Sequence, residues 1–182
     1  MASLKLDSAH GNANDEAVLR CKTALEQKDR EDSAGAHKTM RPYWSRIGET
    51  PNIRELDVAA KAEVLLCVGI LTSWIGSKNQ VRQAQEIAKN ILTQSITYFE
   101  DLKEVINVGV AQSEIAYCYW REGALNEARS WLDEALKKLT FQGAARARAL
   151  LKLSTVELNQ HVENEALQEI CDGEDEGIQP NP

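Results

Sequence analysis

The sequence predicts an all-α chain, and three observations carry that prediction. Long stretches combine Ala and Leu with Glu, Lys, Arg and Gln, all strong helix formers. Apolar residues recur at intervals of three and four, the period of one helical face. No alternating run rich in Val, Ile and Thr occurs, so strands have no support in the sequence. At 182 residues with a hydrophobic fraction of 43%, the chain is long enough for one domain with a sizeable core.

Taken in order, residues 1–14 mix Ser, His, Gly, Asn and Asp without periodicity and are expected to be disordered. A first helix is predicted from about Asp15, with Val18, Cys21, Ala24 and Leu25 on one face, and the charged break QKDRED ends it. A second is expected from Ser33 to about Ile47, with Ala36, Met40, Tyr43 and Trp44 inward and Pro42 kinking it. The turn GETPN at 48–52 leads to Asp57, placed to N-cap a long helix reaching about Ile75. Leu65, Val68, Gly69, Thr72 and Ile75 form its core side. Gly69 costs about 1 kcal/mol relative to Ala in mid-helix, which close approach of a paired helix would offset. Gly76-Ser77 is read as its end, and the next helix as running from about Gln80 to Asp101. Val81, Ala84, Ala88, Ile91, Leu92, Ile96, Phe99 and Leu102 are its inward residues.

Two further helical patterns meet at Gly123, a helix stop. Val110, Ile115, Ala116, Tyr119 and Trp120 make the first; Leu125, Ala128, Leu132, Ala135, Leu136 and Leu139 make the second. Small Ala116 and Ala128 allow two helices to cross closely. A turn over 140–143 precedes a last pair, with Leu150, Leu153, Ser154 and Leu158 in one helix and Ala166, Leu167 and Ile170 in the other. This last pair reads as cut short. Past Cys171 the acidic DGEDEGIQPNP is expected to be disordered, so 172–182 forms a tail.

The stretch Gly109–Leu139 resembles a tetratricopeptide repeat, with small Ala116, the aromatic pair Tyr119-Trp120, Gly123 in the turn, Ala128, Leu132 and Ala135-Leu136. Gly69 with Ala88, Leu92 and Ile96 is similar. The anchor alanines Ala88, Ala128 and Ala166 lie 40 and 38 residues apart, longer than the simple repeat's period of about 34. That spacing resembles the longer arrays of bacterial regulatory and sensor proteins. The resemblance implies a right-handed α-solenoid of about eight helices in antiparallel pairs, over about 15–47, 55–102, 104–139 and 144–171, within a single domain at 15–171. HEAT-type repeats have a similar period, but the aromatic pair and the glycine turn argue against them.

Composition and motifs narrow the function classes. A net charge of −7 and pI near 5.1 leave no obviously basic face for nucleic acid. Cys21, Cys67, Cys118 and Cys171 lack C-x-x-C spacing, and three lie in apolar helical pattern as small hydrophobes. The opening MASLKLDSAHGNAND lacks the apolar core of a signal peptide, and the apolar run Val64–Ile75 is too short to span a bilayer. A reducing cytoplasm is the expected location. His10, His37 and His161 are isolated, and neither a P-loop, a G-x-G-x-x-G nor a G-x-S-x-G motif occurs. The carboxylates fall on polar faces beside Lys and Arg, as in Asp133/Lys137. No enzyme, cofactor or metal is expected.

In the tetratricopeptide arrays that this chain resembles, the first helix of each pair lines a groove that holds an extended or helical peptide. Carried onto this sequence, the groove candidates are Trp74; Ser113, Tyr117, Trp120 and Arg121; and Arg148, Lys152 and Thr155. Tyr, Trp and Arg also dominate interface energetics. Trp120 competes for a core role, as a member of the packing pair; Trp44 and Trp131 read as packing between repeats. A clamp for two carboxylates is not expected, because the positions that would carry Lys and Asn hold Ser113, Tyr117, Leu151 and Thr155. The expected function is a non-enzymatic scaffold binding a protein or peptide partner. The alternative is a sensor or adaptor module of a larger bacterial transcriptional or signalling regulator, self-associating as a homodimer through an exposed solenoid end.

Overall fold

A computed structural model describes the backbone of residues 2–140 and 143–175, and the side chains of 13–140 and 143–165. Among these residues it holds seven helices and no strand: α1 Ala2–Asp29, α2 Ser33–Met40, α3 Val58–Lys78, α4 Ala84–Asp101, α5 Val105–Arg121, α6 Leu125–Lys138 and α7 Ala144–Asp175. The all-α class is as the composition predicts.

The strongest local signals sit where they are expected. Asp57 caps α3, its side chain accepting from the Ala60 N–H at 2.8 Å. Asn14 on α1 holds that cap in place, donating to Asp57 Oδ2 at 2.7 Å and accepting from the Asp57 N–H at 3.0 Å. Gly123, at φ +79°, ends α5 in the left-handed conformation that glycine adopts freely. Gly69 lies against α4, where a Cβ would stand 2.6 Å from Leu92 Cγ. Close approach of the two helices is therefore what the mid-helix glycine provides.

Several boundaries differ from the sequence reading. The helical backbone of α1 begins at Ala2, not near Asp15. No proline interrupts the segment, and extending an existing helix avoids the cost of a new nucleus. Helix α2 stops at Met40, because the ring of Pro42 clashes with a continuing helix. Gly76 lies inside α3, not at its end, and a Cβ there would collide with Ala84 Cβ at the start of α4. The helix after it begins at Ala84 rather than Gln80, and Val81 is exposed.

The largest correction concerns the last pair. In place of two helices over 144–171 there is one, α7, because neither Gly nor Pro breaks the run from Leu158 to Ala166. The helix count is therefore seven rather than about eight. Without an eighth helix, Leu150 and Leu158 face outward, and Ala149 and Val156 form the buried side instead. The side chains of Ala166, Leu167, Ile170 and Cys171, and residues 176–182 of the expected tail, lie outside the described residues.

Each helix packs on the next in sequence from α1 to α7. The odd-numbered helices also meet one another, α1 on α3, α3 on α5 and α5 on α7. The even-numbered ones do not touch among the described residues. Helix α3 is central: its Val64, Leu65, Cys67, Val68 and Leu71 belong to a core with α1 and α2. Its Ala62, Leu66 and Ile70 belong to a second core with α4 and α5. A third core joins α5, α6 and α7 around Ala116, Ala128, Leu132 and Val156. At 21 residues, α3 is long and apolar enough to cross a membrane, so the length argument drawn from Val64–Ile75 does not hold. Its apolar surface is instead mostly covered by protein.

Candidate functional site

The odd-numbered helices frame a cleft of about 500 Å³. Each supplies a short stripe at helical spacing: Leu25, Lys28 and Asp29 from α1; Leu66, Ile70, Ser73 and Trp74 from α3; Val110, Glu114, Tyr117 and Arg121 from α5; Arg148, Leu151 and Lys152 from α7. Spacings of three and four put such residues one above another on a helix face. A cleft along four adjacent helices follows directly from those stripes.

Tyr117 is the centre of the polar arrangement. The Arg121 guanidinium lies 4.6 Å from its ring centroid, one turn along the same helix, and donates to its hydroxyl at 3.4 Å. The Lys152 ammonium, from α7, stands 5.5 Å from the same centroid. Two cations thus contact one aromatic ring, each contact worth about 0.5–2 kcal/mol depending on exposure. Lys152 is further fixed by Glu114 at 2.7 Å and by the Ser113 carbonyl at 3.3 Å. Lys28 pairs with Asp29 at 2.8 Å. Neither Arg121 nor Arg148 has a carboxylate partner among the described residues, so they carry the net positive charge of the cleft.

Of the eight candidate residues, Trp74, Tyr117, Arg121, Arg148 and Lys152 line this cleft. The other three do not. Ser113 is buried, its hydroxyl donating to the Val110 carbonyl at 2.8 Å. Trp120 stacks on Tyr117, with centroids 5.0 Å apart, and its Nε1–H donates to Asn159 Oδ1 at 3.2 Å. It faces a wider, more open hollow of about 630 Å³ beside Gly76, Gln85 and Asn159. Thr155 is exposed on α7 one turn beyond Leu151, past the end of the cleft lining, its hydroxyl donating to the Leu151 carbonyl. Helical spacing puts Ser113, Trp120 and Thr155 near the correct face, but a rotation of one residue decides between cleft, core and solvent.

Sequence reasoning does not nominate Leu25, Lys28, Asp29 or Glu114. Glu114 had a usable signal, since it stands one turn before Tyr117 on α5. The α1 residues had none, because nothing in their spacing reports that α1 packs beside α3. Trp44 is buried in the first core and Trp131 packs between the second and third, both as packing residues.

Outside the cleft, the strongly shifted groups are structural. Burial alone would lower the Lys89 pKa, but ion pairs to Glu122 at 2.7 Å and Glu86 at 2.8 Å outweigh it and push the ammonium up to about 12. Burial pushes the Cys118 thiol up to about 11. Among the described residues, no three His, Cys, Asp or Glu side chains gather to hold a metal ion. No family model, curated protein or solved structure matches this chain.

Proposed function

We propose that this chain is a tetratricopeptide-like repeat module that binds a partner protein through a peptide laid in the cleft between α1, α3, α5 and α7. One observation carries the reading: five residues nominated from the resemblance, on three different helices, converge on a single cleft. The contacts among the odd-numbered helices support a short solenoid whose first helices line one face. Gly109 supports the repeat-like pairing of α5 with α6, since a Cβ there would stand 3.0 Å from Leu139 Cγ.

The lining indicates what the peptide carries. Leu66, Ile70, Val110, Trp74 and Leu151 offer apolar contact, and Arg121 and Arg148 await an acceptor. An apolar side chain next to Asp or Glu fits both. Preformed helices hold the cleft, so little ordering entropy opposes binding. The proposed role is binding rather than turnover, because the cleft's Glu114 is tied to Lys152 rather than poised for proton transfer.

A displayed library of random peptides tests this. The chain should enrich sequences pairing Leu, Phe or Trp with Asp or Glu. A Tyr117→Ala/Arg121→Ala variant, matched for helicity by circular dichroism, should lose affinity at least about tenfold. Arg148→Ala should weaken chiefly the acidic peptides. Enrichment no better than random, or equal binding by the double variant, would remove the cleft from consideration.

A further inference from the structure

Over residues 144–165 helix α7 is apolar on two opposite faces, and among the described residues only one of them is covered. Of the nine large hydrophobic side chains exposed among the described residues, four are on this helix: Leu150, Leu151, Leu158 and Val162. Leu151, Leu158 and Val162 are 69%, 64% and 55% exposed. At about 100° per residue they fall within roughly 40° of one another, on the side away from buried Ala149 and Val156. A contiguous apolar stripe of this kind marks an interaction surface.

The stripe has a period. Arg148, Leu151, Thr155, Leu158, Val162 and Glu165 follow one another at alternating intervals of three and four residues, the spacing of a coiled-coil seam. The seam is cationic at its N-terminal end and anionic at its C-terminal end. The whole helix follows suit: Arg146, Arg148 and Lys152 precede Val156 without an acid, and after it come Glu157, Glu163 and Glu165 without a Lys or Arg. Glu165 is exposed, its carboxylate 3.2 Å from His161 Nε2 on the same helix.

We propose that two copies of this chain associate through the outer face of α7, with the two helices antiparallel. A two-fold axis between Val156 and Glu157 sets Leu151 against Val162 of the second copy and Thr155 against Leu158. The same axis sets Arg148 against Glu165 at both ends of the seam. A parallel pair would instead oppose Arg148 to Arg148 and Glu165 to Glu165, which like-charge repulsion disfavours. Charge complementarity therefore selects both the partner, a copy with the same gradient, and its direction. The seam adjoins the cleft at Arg148 and Leu151, whereas Leu158 and Glu165 lie outside it.

Sedimentation equilibrium on the full chain is the test. The unaltered chain should show a monomer–dimer equilibrium below about 100 μM, an affinity within reach of a small seam. Leu158→Glu, at an exposed position, should weaken it by about a hundredfold or more with an unchanged circular dichroism spectrum. Arg148→Glu alone and Glu165→Arg alone should each weaken it about tenfold, and the two together should restore it to within about threefold. A chain that stays monomeric at several hundred micromolar overturns the proposal. Failure of the double variant to recover overturns the antiparallel register, and dimerisation indifferent to Leu158→Glu moves the interface elsewhere.

Discussion

Four helices stop by the same backbone device, and only one stop uses glycine. Glu31, Gln80, Lys103 and Gly123 have φ of 60°, 52°, 59° and 79° just past the ends of α1, α3, α4 and α5. In each case the following N–H reaches back five residues: Asp32 to Gln27, Val81 to Gly76, Glu104 to Phe99 and Ala124 to Tyr119, at 2.8–3.0 Å. This satisfies carbonyls that the helix end would otherwise leave open. Gly123 could be read from the sequence because glycine favours that conformation. Glu31, Gln80 and Lys103 could not, because nothing in their side chains announces a left-handed residue. A side chain at such a position costs about 1–2 kcal/mol, partly offset by the greater chain entropy that glycine loses on folding. Lys103 is exposed, and its side chain makes no hydrogen bond or ion pair among the described residues. Lys103→Gly should therefore stabilise the protein by about 0.5–1 kcal/mol in urea unfolding. A neutral or destabilising result would mean that this stop is not strained.

Elements are joined by a small number of side chains, of which Lys89 is the clearest. It lies on α4, 4.1 Å from the Tyr119 ring centroid, and it binds both Glu86 of its own helix and Glu122 at the end of α5. Its side chain is only 13% exposed and that of Glu122 33%, so this pair is screened less than a surface ion pair, whereas Glu86 at 60% exposure adds little. Lys89→Met should destabilise by about 1–2 kcal/mol at pH 7, read from urea midpoints at a constant denaturant slope. The sign with pH follows from the raised pKa. A lysine held above its ordinary value contributes fully below about 10.5, and the contribution is lost as pH rises through about 12. At this scale the sequence was readable where a side chain both signals and performs the role, as Asp57 does at its cap and Leu92 beside Gly69. It was not readable where the outcome depends on a missing neighbour. Leu150 and Leu158 have core spacing, yet among the described residues no eighth helix folds back to cover them. The same holds for the cleft: helical spacing could nominate Tyr117 and Arg121, but only the packing of α1 against α3 brings Lys28 and Asp29 opposite them.

Across the whole molecule, α3 couples what could otherwise be separate units. Its Cys67 lies in the first core beside Cys21, donating weakly to the Cys21 carbonyl at 3.7 Å, while Ile70 one turn on lies in the second core with Cys118. Opening the α1–α2 end must therefore disturb the surface on which α4 and α5 rest. The three buried thiols report this. Interaction with Cys21, then burial, holds the Cys67 thiol well above its usual range, and burial holds Cys118 at about 11. At Cys67 and Cys118 a folded-state thiolate is thus scarce until the pH is far above the value near 8.5 at which an unfolded cysteine ionises. At pH 8, alkylation of these thiols should proceed only through opened molecules. In a Cys171→Ser variant, Ellman's reagent should find about no reactive thiol in buffer and all three in guanidinium, with at least about a thousandfold difference in rate. Because α3 spans both cores, Cys67 and Cys118 should give the same opening free energy and the same dependence on urea, measured site by site from alkylated peptides. Exchange of Cys67 through a smaller opening, with a shallower urea dependence than Cys118, would show instead that α1 and α2 detach on their own. The contacts of α3 would then be those of a helical stack that frays from its end, with each helix answering mainly to its neighbours.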